Sequence, residues 1–145
     1  MPTTILVLCT GNSARSQITE GLFRHLGGNS VEVHSAGTHP AGIVHPDALT
    51  SMKEYGVDIS KQWSKAMSQF EGQPFDYVIT VCDEAYQECP FFPGAKKQIH
   101  WSTPDPSFMG SSHEERLEAF RKTIASLEKR VKEFLSTIIK TENPT

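Results

Sequence analysis

The sequence contains no apolar run near the ~20 residues that a membrane-spanning helix requires. Its opening apolar stretch, Thr4 to Leu8, is too short and lacks the basic flank of a signal peptide. A basic cluster is missing too. The 14 Lys plus Arg stand against 17 Asp plus Glu, a net charge of -3, so nothing supplies the positive stripe that nucleic acid or an anionic membrane would need. Cysteine is sparse: three in 145 residues cannot build a disulfide framework, and with six histidines they still match no Cys-x2-Cys or His-x3-His zinc spacing. Repeats and low-complexity segments are absent. A chain of this length hides about 70% of its unfolded surface, so its core needs no covalent or metal staple. These absences predict one domain over residues 1–145, cytoplasmic, with no metal, membrane or nucleic acid partner, and with free thiols open to chemistry.

What is present is an alternation of strand and helix patterns. Thr3 to Leu8 and Tyr77 to Val81 are continuous apolar runs rich in Ile and Val, as strands covered on both faces should be. Val31 to Ser35 and Lys97 to Trp101 are more polar and suit the sheet's edges. Helical patterns fall at Ala14 to Leu26, Asp47 to Tyr55, Ser64 to Phe70 and Asp83 to Glu88. From Leu117 the series Phe120, Ile124, Leu127, Val131, Phe134, Ile138 steps by three or four and marks a long helix, opened by a capping box of Ser112 and Glu115. The order implies an α/β fold: an open four-stranded parallel sheet, strand order 2-1-3-4, layered between helices on both faces. His25, His34, His39, His45, His100 and His113 are scattered and read as surface or packing residues.

The segment from Cys9 to Ser16 lies where the first strand turns into a helix, with five residues between the cysteine and Arg15. Such a turn is an anion cradle. Gly11 permits a tight bend, successive amides can point inward, and a helix start adds partial positive charge. Arg15 would clamp a tetrahedral oxyanion with its planar fork. The same field is expected to lower the pKa of Cys9 and make it a nucleophile, with Ser16 donating to the thiolate and Asn12 holding the loop's shape. The competing reading is a buried cysteine beside an ordinary surface arginine.

Cys82 and Cys89 fall at the carboxyl edge of the sheet, where open sheets place their sites. If the six residues between them are helical, the pair is separated by about 10.5 Å of rise at ~1.5 Å per residue. A disulfide tolerates only about 4.4 to 6.8 Å between Cα atoms, so the two cannot bond until the segment unwinds. A core thiol at Cys82 with an incidental Cys89 is the plain alternative. Asp105, stiffened by Pro104 and Pro106, lies at the same edge, where a carboxyl near a thiolate would hold its proton and could pass it to a leaving oxygen.

On the residues from Cys9 to Gln17 the sequence resembles the low-molecular-weight protein tyrosine phosphatases and the arsenate reductases that share their fold. The likeness continues through Ser35 to Gly37, Asp58 to Ser60, Phe75 to Cys82, Cys89 and Pro90, and Trp101 to Pro106, and is strongest to the thioredoxin-coupled arsenate reductases. The resemblance implies an enzyme that reduces arsenate to arsenite. Its catalytic set would be Cys9, Cys82, Cys89, Arg15 and Asp105, the last as general acid. Thr10, Gly11, Asn12, Ser13, Ala14, Arg15 and Ser16 would bind the oxyanion, with phosphate or sulfate as analogues. A Cys9–Cys82 disulfide would form first and a Cys82–Cys89 disulfide second, re-reduced by thioredoxin, with no bound cofactor. Asn12, Glu20 and Ser35 match positions that in some of these reductases help hold a monovalent cation. The fourth, acidic ligand is replaced by Lys65, whose ammonium could stand in for the ion. Ala14 replaces a further cysteine of many relatives. The alternatives are a phosphatase, for which Cys9, Arg15 and Asp105 suffice, and an oxyanion- or redox-sensing module.

Overall fold

The computed structural model describes residues 2–88 and 91–142, with side chains described to residue 138; Cys89 lies outside the described residues. Strands β1 (Thr3–Cys9), β2 (Val31–Gly37), β3 (Phe75–Thr80) and β4 (Ala95–His100) form one sheet in the order β2-β1-β3-β4. All neighbours are parallel, and the register pairs Cys9 with Gly37, Leu8 with Thr80, and Thr80 with His100. The central position of β1 follows from its composition: Ile5, Leu6, Val7 and Leu8 are all fully buried, so both faces of the strand are covered.

Helices α1 (Arg15–Gly27), α2 (Pro46–Tyr55), α3 (Asp83–Glu88) and α4 (His113–Glu142) surround the sheet. On one face Ile5, Val7, Ile18, Leu22, Phe23 and Met52 share a core with the α4 stripe of Phe120, Ile124, Leu127, Val131, Leu135 and Ile138. Leu135 takes a stripe position, and Phe134 sits at its margin, packing edge-on against Phe23, Tyr77 and Trp101. The other face carries a smaller core of Leu6, Leu8, Phe70, Phe75, Val78 and Phe92. Among the described residues no helix is long and apolar enough to cross a membrane.

Two local expectations need correction. Ser64 to Phe70 is not an α-helix; only Met67–Phe70 forms a short 3-10 turn. The preceding residues are held extended by tertiary bonds: the Ser64 hydroxyl donates to the Gly11 carbonyl, the Lys65 amide to Asn12, and the Gly37 amide to the Lys65 carbonyl. These bonds outcompete the local helix preference. At the start of α4 only half of the capping box forms. The Ser112 hydroxyl accepts from the Glu115 amide at 3.2 Å, while the Glu115 carboxylate reaches the Ser111 amide (2.6 Å) and hydroxyl (2.7 Å) one residue earlier.

The first turns of α2 and α4 are locked by Asp47. Its buried carboxylate accepts from Arg116 Nε at 2.7 Å and pairs with His113 Nε2 at 3.0 Å. Burial pushes this carboxyl up, but the bonds from Arg116 and His113 outweigh it and hold Asp47 below the usual carboxylate range. Asp47→Asn should therefore lower unfolding stability by about 1–2 kcal/mol near neutrality. A depressed folded pKa contributes stability above the unfolded value of about 4 and loses it as pH falls through the folded one. The gap between protein and variant in denaturant titrations should close as the solution is acidified below that point; a gap that widens in acid would contradict this account.

Candidate active site

Because β1 and β3 are neighbours running in the same direction, their carboxyl ends deliver Cys9 and Cys82 to one place. Both thiols are buried. The Thr10 amide and hydroxyl each lie 3.2 Å from Cys82 Sγ, and the two cysteines hydrogen-bond to each other. The Cys82 thiol is lowered to about 6, first by the bond from Cys9, then by Thr10, the Ala85 amide and the charge of Arg15, against the opposing effect of burial. Cys9 moves the other way, pushed up by its bond to Cys82 and by burial, although Arg15 and the Thr10 amide pull it down. The loop's field thus acts on Cys9 in the expected direction, and it is the contact with Cys82 and burial that oppose it. The pair shares one proton, and its negative charge rests on Cys82.

The loop bends at Asn12, the one non-glycine residue with positive φ (48°) among those described. Asn is among the few residues that tolerate this geometry, and here its side chain is fully engaged. Nδ2 donates to Ser16 Oγ (2.8 Å) and Ser35 Oγ (2.9 Å), and Oδ1 accepts from the Lys65 amide (2.8 Å). Ser16 is thus placed on Asn12; the hydroxyl that reaches a thiol is that of Thr10. Gly37 packs so closely behind the bend that a Cβ there would lie 2.5 Å from the Thr10 carbonyl oxygen. No other residue fits at the end of β2. Ser13 is tied down through its carbonyl, which accepts from the His45 amide at 2.9 Å, and Ala14 precedes the first turn of α1.

Arg15 spans the mouth of the site. Nη1 donates to the Thr103 carbonyl at 2.8 Å, and Nη2 lies 3.5 Å from Asp105 Oδ2. Asp105 Oδ1 accepts from the Ser107 amide and hydroxyl, fixing the carboxyl in the turn. The expectation set a thiolate beside this acid; the nearest charge is the Arg15 guanidinium.

Lys65 is no surface lysine. Its side chain is 5% exposed, with Nζ donating to the Trp63 carbonyl (2.8 Å), standing 3.7 Å from Glu20 Oε1 and 4.5 Å from the Trp63 ring centre. Burial lowers its pKa, and Glu20 opposes the shift. Glu20 is held in turn by the Ser35 hydroxyl and by Arg24 at 2.8 Å. The ammonium lies on Glu20 rather than on Asn12, which meets only the Lys65 backbone. Among the described residues no cluster of His, Cys, Asp or Glu could hold a metal ion.

Sequence reasoning missed Gln17 and Gln62. Gln17 is fully buried and donates to the Asn12 carbonyl (3.0 Å) and the Trp63 carbonyl (2.9 Å), and Gln62 caps its side-chain oxygen at 2.8 Å. The available signal was a glutamine on the inward face of α1, one residue past Ser16. The proton sharing between Cys9 and Cys82 gives a spectroscopic expectation. Thiolate absorbance of the reduced protein should show one group titrating near pH 6. It should vanish in Cys82→Ser and move upward in Cys9→Ala; persistence in Cys82→Ser would assign the charge to Cys9.

Residues 4–143 match the family model described as low molecular weight phosphotyrosine protein phosphatase. The chain is 41% identical to an arsenate reductase of Halalkalibacterium halodurans over 133 residues, covering 92% of this chain and 95% of that one. A solved arsenate reductase in a phosphate-binding state superposes with a TM-score of 0.81 at 30% identity, covering 94% and 98%. The thioredoxin-dependent arsenate reductase of Corynebacterium glutamicum superposes with a TM-score of 0.74 at 30% identity, covering 97% of this chain and 63% of that longer one. The strand order, the loop between β1 and α1, and these similarities agree: the chain belongs to the low molecular weight phosphotyrosine protein phosphatase family and, within it, with the arsenate reductases.

Proposed function

We propose that the chain reduces arsenate to arsenite through a three-cysteine relay, with thioredoxin as the reductant. The loop from Thr10 to Ser16 and the Arg15 fork hold the oxyanion over Cys9. The shared proton moves along the thiol–thiol bond to Cys82, leaving Cys9 as the attacking thiolate. Asp105 hands a proton to an arsenic-bound oxygen, which departs as water, and a sulfur–arsenic(V) bond remains. Cys82, deprotonated again, attacks Cys9 Sγ. The new sulfur–sulfur bond releases arsenic with its bonding pair as arsenite, so two thiols are oxidised as arsenic is reduced by two electrons. Cys89 then attacks Cys82, Cys9 leaves as a thiolate, and the Cys82–Cys89 disulfide takes two electrons and two protons from a thioredoxin dithiol.

The observation that carries this reading is that the ends of the neighbouring strands β1 and β3 bring two buried thiols, Cys9 and Cys82, into contact with the same residue, Thr10, and couple them electrostatically. The register puts Cys82 one residue beyond the position opposite Cys9, so a strand spacing of about 4.8 Å and a rise of about 3.3 Å set their Cα atoms on the order of 6 Å apart, inside the range that a disulfide spans. Hydrolysis would need only Cys9, Arg15 and Asp105 and has no use for a second thiol there.

Cys9→Ser and Arg15→Ala should each abolish arsenate-dependent oxidation of thioredoxin, since one removes the nucleophile and the other the oxyanion clamp. Cys89→Ser should stop after one turnover with a Cys9–Cys82 bond, and Cys82→Ser should stop before arsenite leaves. Peptide mapping after a single turnover decides between relay and hydrolysis; finding neither disulfide would leave a phosphatase. The Lys65 ammonium is proposed to occupy the place of a monovalent cation. Turnover should then be indifferent to potassium against sodium at fixed ionic strength, and a potassium-specific stimulation would remove that role.

A further inference from the structure

Two histidines meet the two ends of α3, the segment between Cys82 and Cys89. At the first end His100, the last residue of β4, bridges β3 and α3. Nδ1 lies 2.7 Å from the Thr80 hydroxyl and Nε2 2.8 Å from Asp83 Oδ1, and the ring stacks on Tyr86 with centres 4.5 Å apart. Asp83 is also bonded to Ser102 and feels Arg15. At the last turn Glu88 Oε2 meets His39 Nε2 at 2.6 Å, and Glu88 Oε1 accepts from the Thr38 hydroxyl at 3.3 Å. The backbone amides of Thr38 and His39 donate to the carbonyls of Cys9 (3.1 Å) and Thr10 (2.8 Å), so this tie runs directly into the anion loop.

Within itself α3 has little to hold it. It is six residues long and buries one side chain, Ala85. Isolated helices shorter than about 12 residues are marginal in water. Its helical state therefore depends on what grips it from outside, and the two histidine contacts grip opposite ends.

We propose that His100 and His39 pin α3 through Asp83 and Glu88 and thereby set how readily the helix opens, which makes them positioning residues for the closing disulfide. The second half of this statement rests on the relay proposed above; the first does not. In the pinned state the helix sets its last residue, Glu88, about 9 Å of rise from Cys82. Opening must break both contacts, and the His39 contact reports to the loop that holds Cys9.

The test uses the full chain, reduced, and the double variant Asp83→Ala with Glu88→Ala. Both carboxylates are partly exposed, so the fold should survive. Amide exchange over residues 83–88 should quicken by about 3- to 10-fold, the range expected for losing two exposed charged contacts, while exchange in β1 and α4 stays unchanged. After one arsenate turnover, the rate of forming the Cys82–Cys89 bond relative to the Cys9–Cys82 bond should rise by a similar factor. Asp83→Asn, which keeps an acceptor for His100, should restore much of the protection in an otherwise identical background. Unchanged exchange in the double variant would overturn the pins, as would faster exchange with an unchanged ratio of the two disulfide rates for their positioning role. Absence of a Cys82–Cys89 bond in the unsubstituted protein would overturn the relay alone, and the exchange measurement would still decide the pins.

Discussion

Everything at this site depends on two parallel strands ending side by side. The sheet order β2-β1-β3-β4 makes β1 and β3 neighbours, and both run toward the same edge. The chain runs through α1, β2 and α2 between them, so about 70 positions of sequence separate the two strands, yet the register sets Leu8 beside Thr80. The residues just beyond, Cys9 and Cys82, then have nowhere to go but toward each other. Their proximity is a property of the sheet rather than of a flexible loop, so it is held by the most buried part of the molecule. A thiol pair placed in this way cannot ionise as two separate groups. The donors around Cys82, the Cys9 thiol first and then Thr10, stabilise one charge, and Cys9 keeps the shared proton. If Cys9 is the nucleophile, as proposed, its proton already has an acceptor in contact with it.

The loop in front of the pair is held by a connected set of hydrogen bonds. Asn12 accepts a positive φ that costs on the order of 1–3 kcal/mol, and its three side-chain bonds offset that strain. Those bonds lead through Ser35 to Glu20, whose buried charge is matched by Lys65 on one side and Arg24 on the other. A carboxylate this buried would be costly alone, and a tethered ammonium carries no entropy loss of binding a free ion. The network explains why the chain from Ser64 to Ala66 is extended. Its backbone is part of the loop's support before it is part of any helix.

This division between local and tertiary causes decides what could be read from the sequence. The apolar runs at Thr3 to Leu8 and Tyr77 to Val81 and the stripe of α4 were legible, because burial on one or two faces leaves a period in the residues themselves; the order 2-1-3-4 is the one observed, but no such period encodes it. The convergence of Cys9, Arg15, Cys82 and Asp105 on one edge followed from topology. What could not be read are partnerships between residues far apart in sequence. Lys65 looks like any exposed lysine until Glu20 and Trp63 close over it. The Ser64 to Phe70 helix pattern is real but is overridden by bonds to Gly11, Asn12 and Gly37. The destination of the shared proton depends on Thr10 and Ala85 facing Cys82, a matter of a few ångströms that no spacing rule encodes. His39 and His100 carry no sequence period at all, and only the fold shows that both end on α3.

The stability of the domain is accordingly uneven, and the unevenness falls where chemistry needs it. β1 is buried nearly end to end and α4 buries a stripe along its length, whereas α3 contributes one buried alanine and depends on polar contacts at its ends. Local opening follows the number of buried apolar contacts that must be broken, so α3 lies at the low end of the range and β1 at the high end. In the proposed relay that gradient would let the Cys9–Cys82 bond form at the sheet edge without unfolding and reserve unfolding for the next. A better-packed α3 would resist the opening that the proposed second disulfide requires. A helix with no contacts at its ends would open whether or not the first disulfide had formed. Exposed contacts worth a fraction of a kcal/mol to about 1 kcal/mol each sit between those extremes, strong enough to bias a six-residue helix and weak enough to yield to a covalent bond.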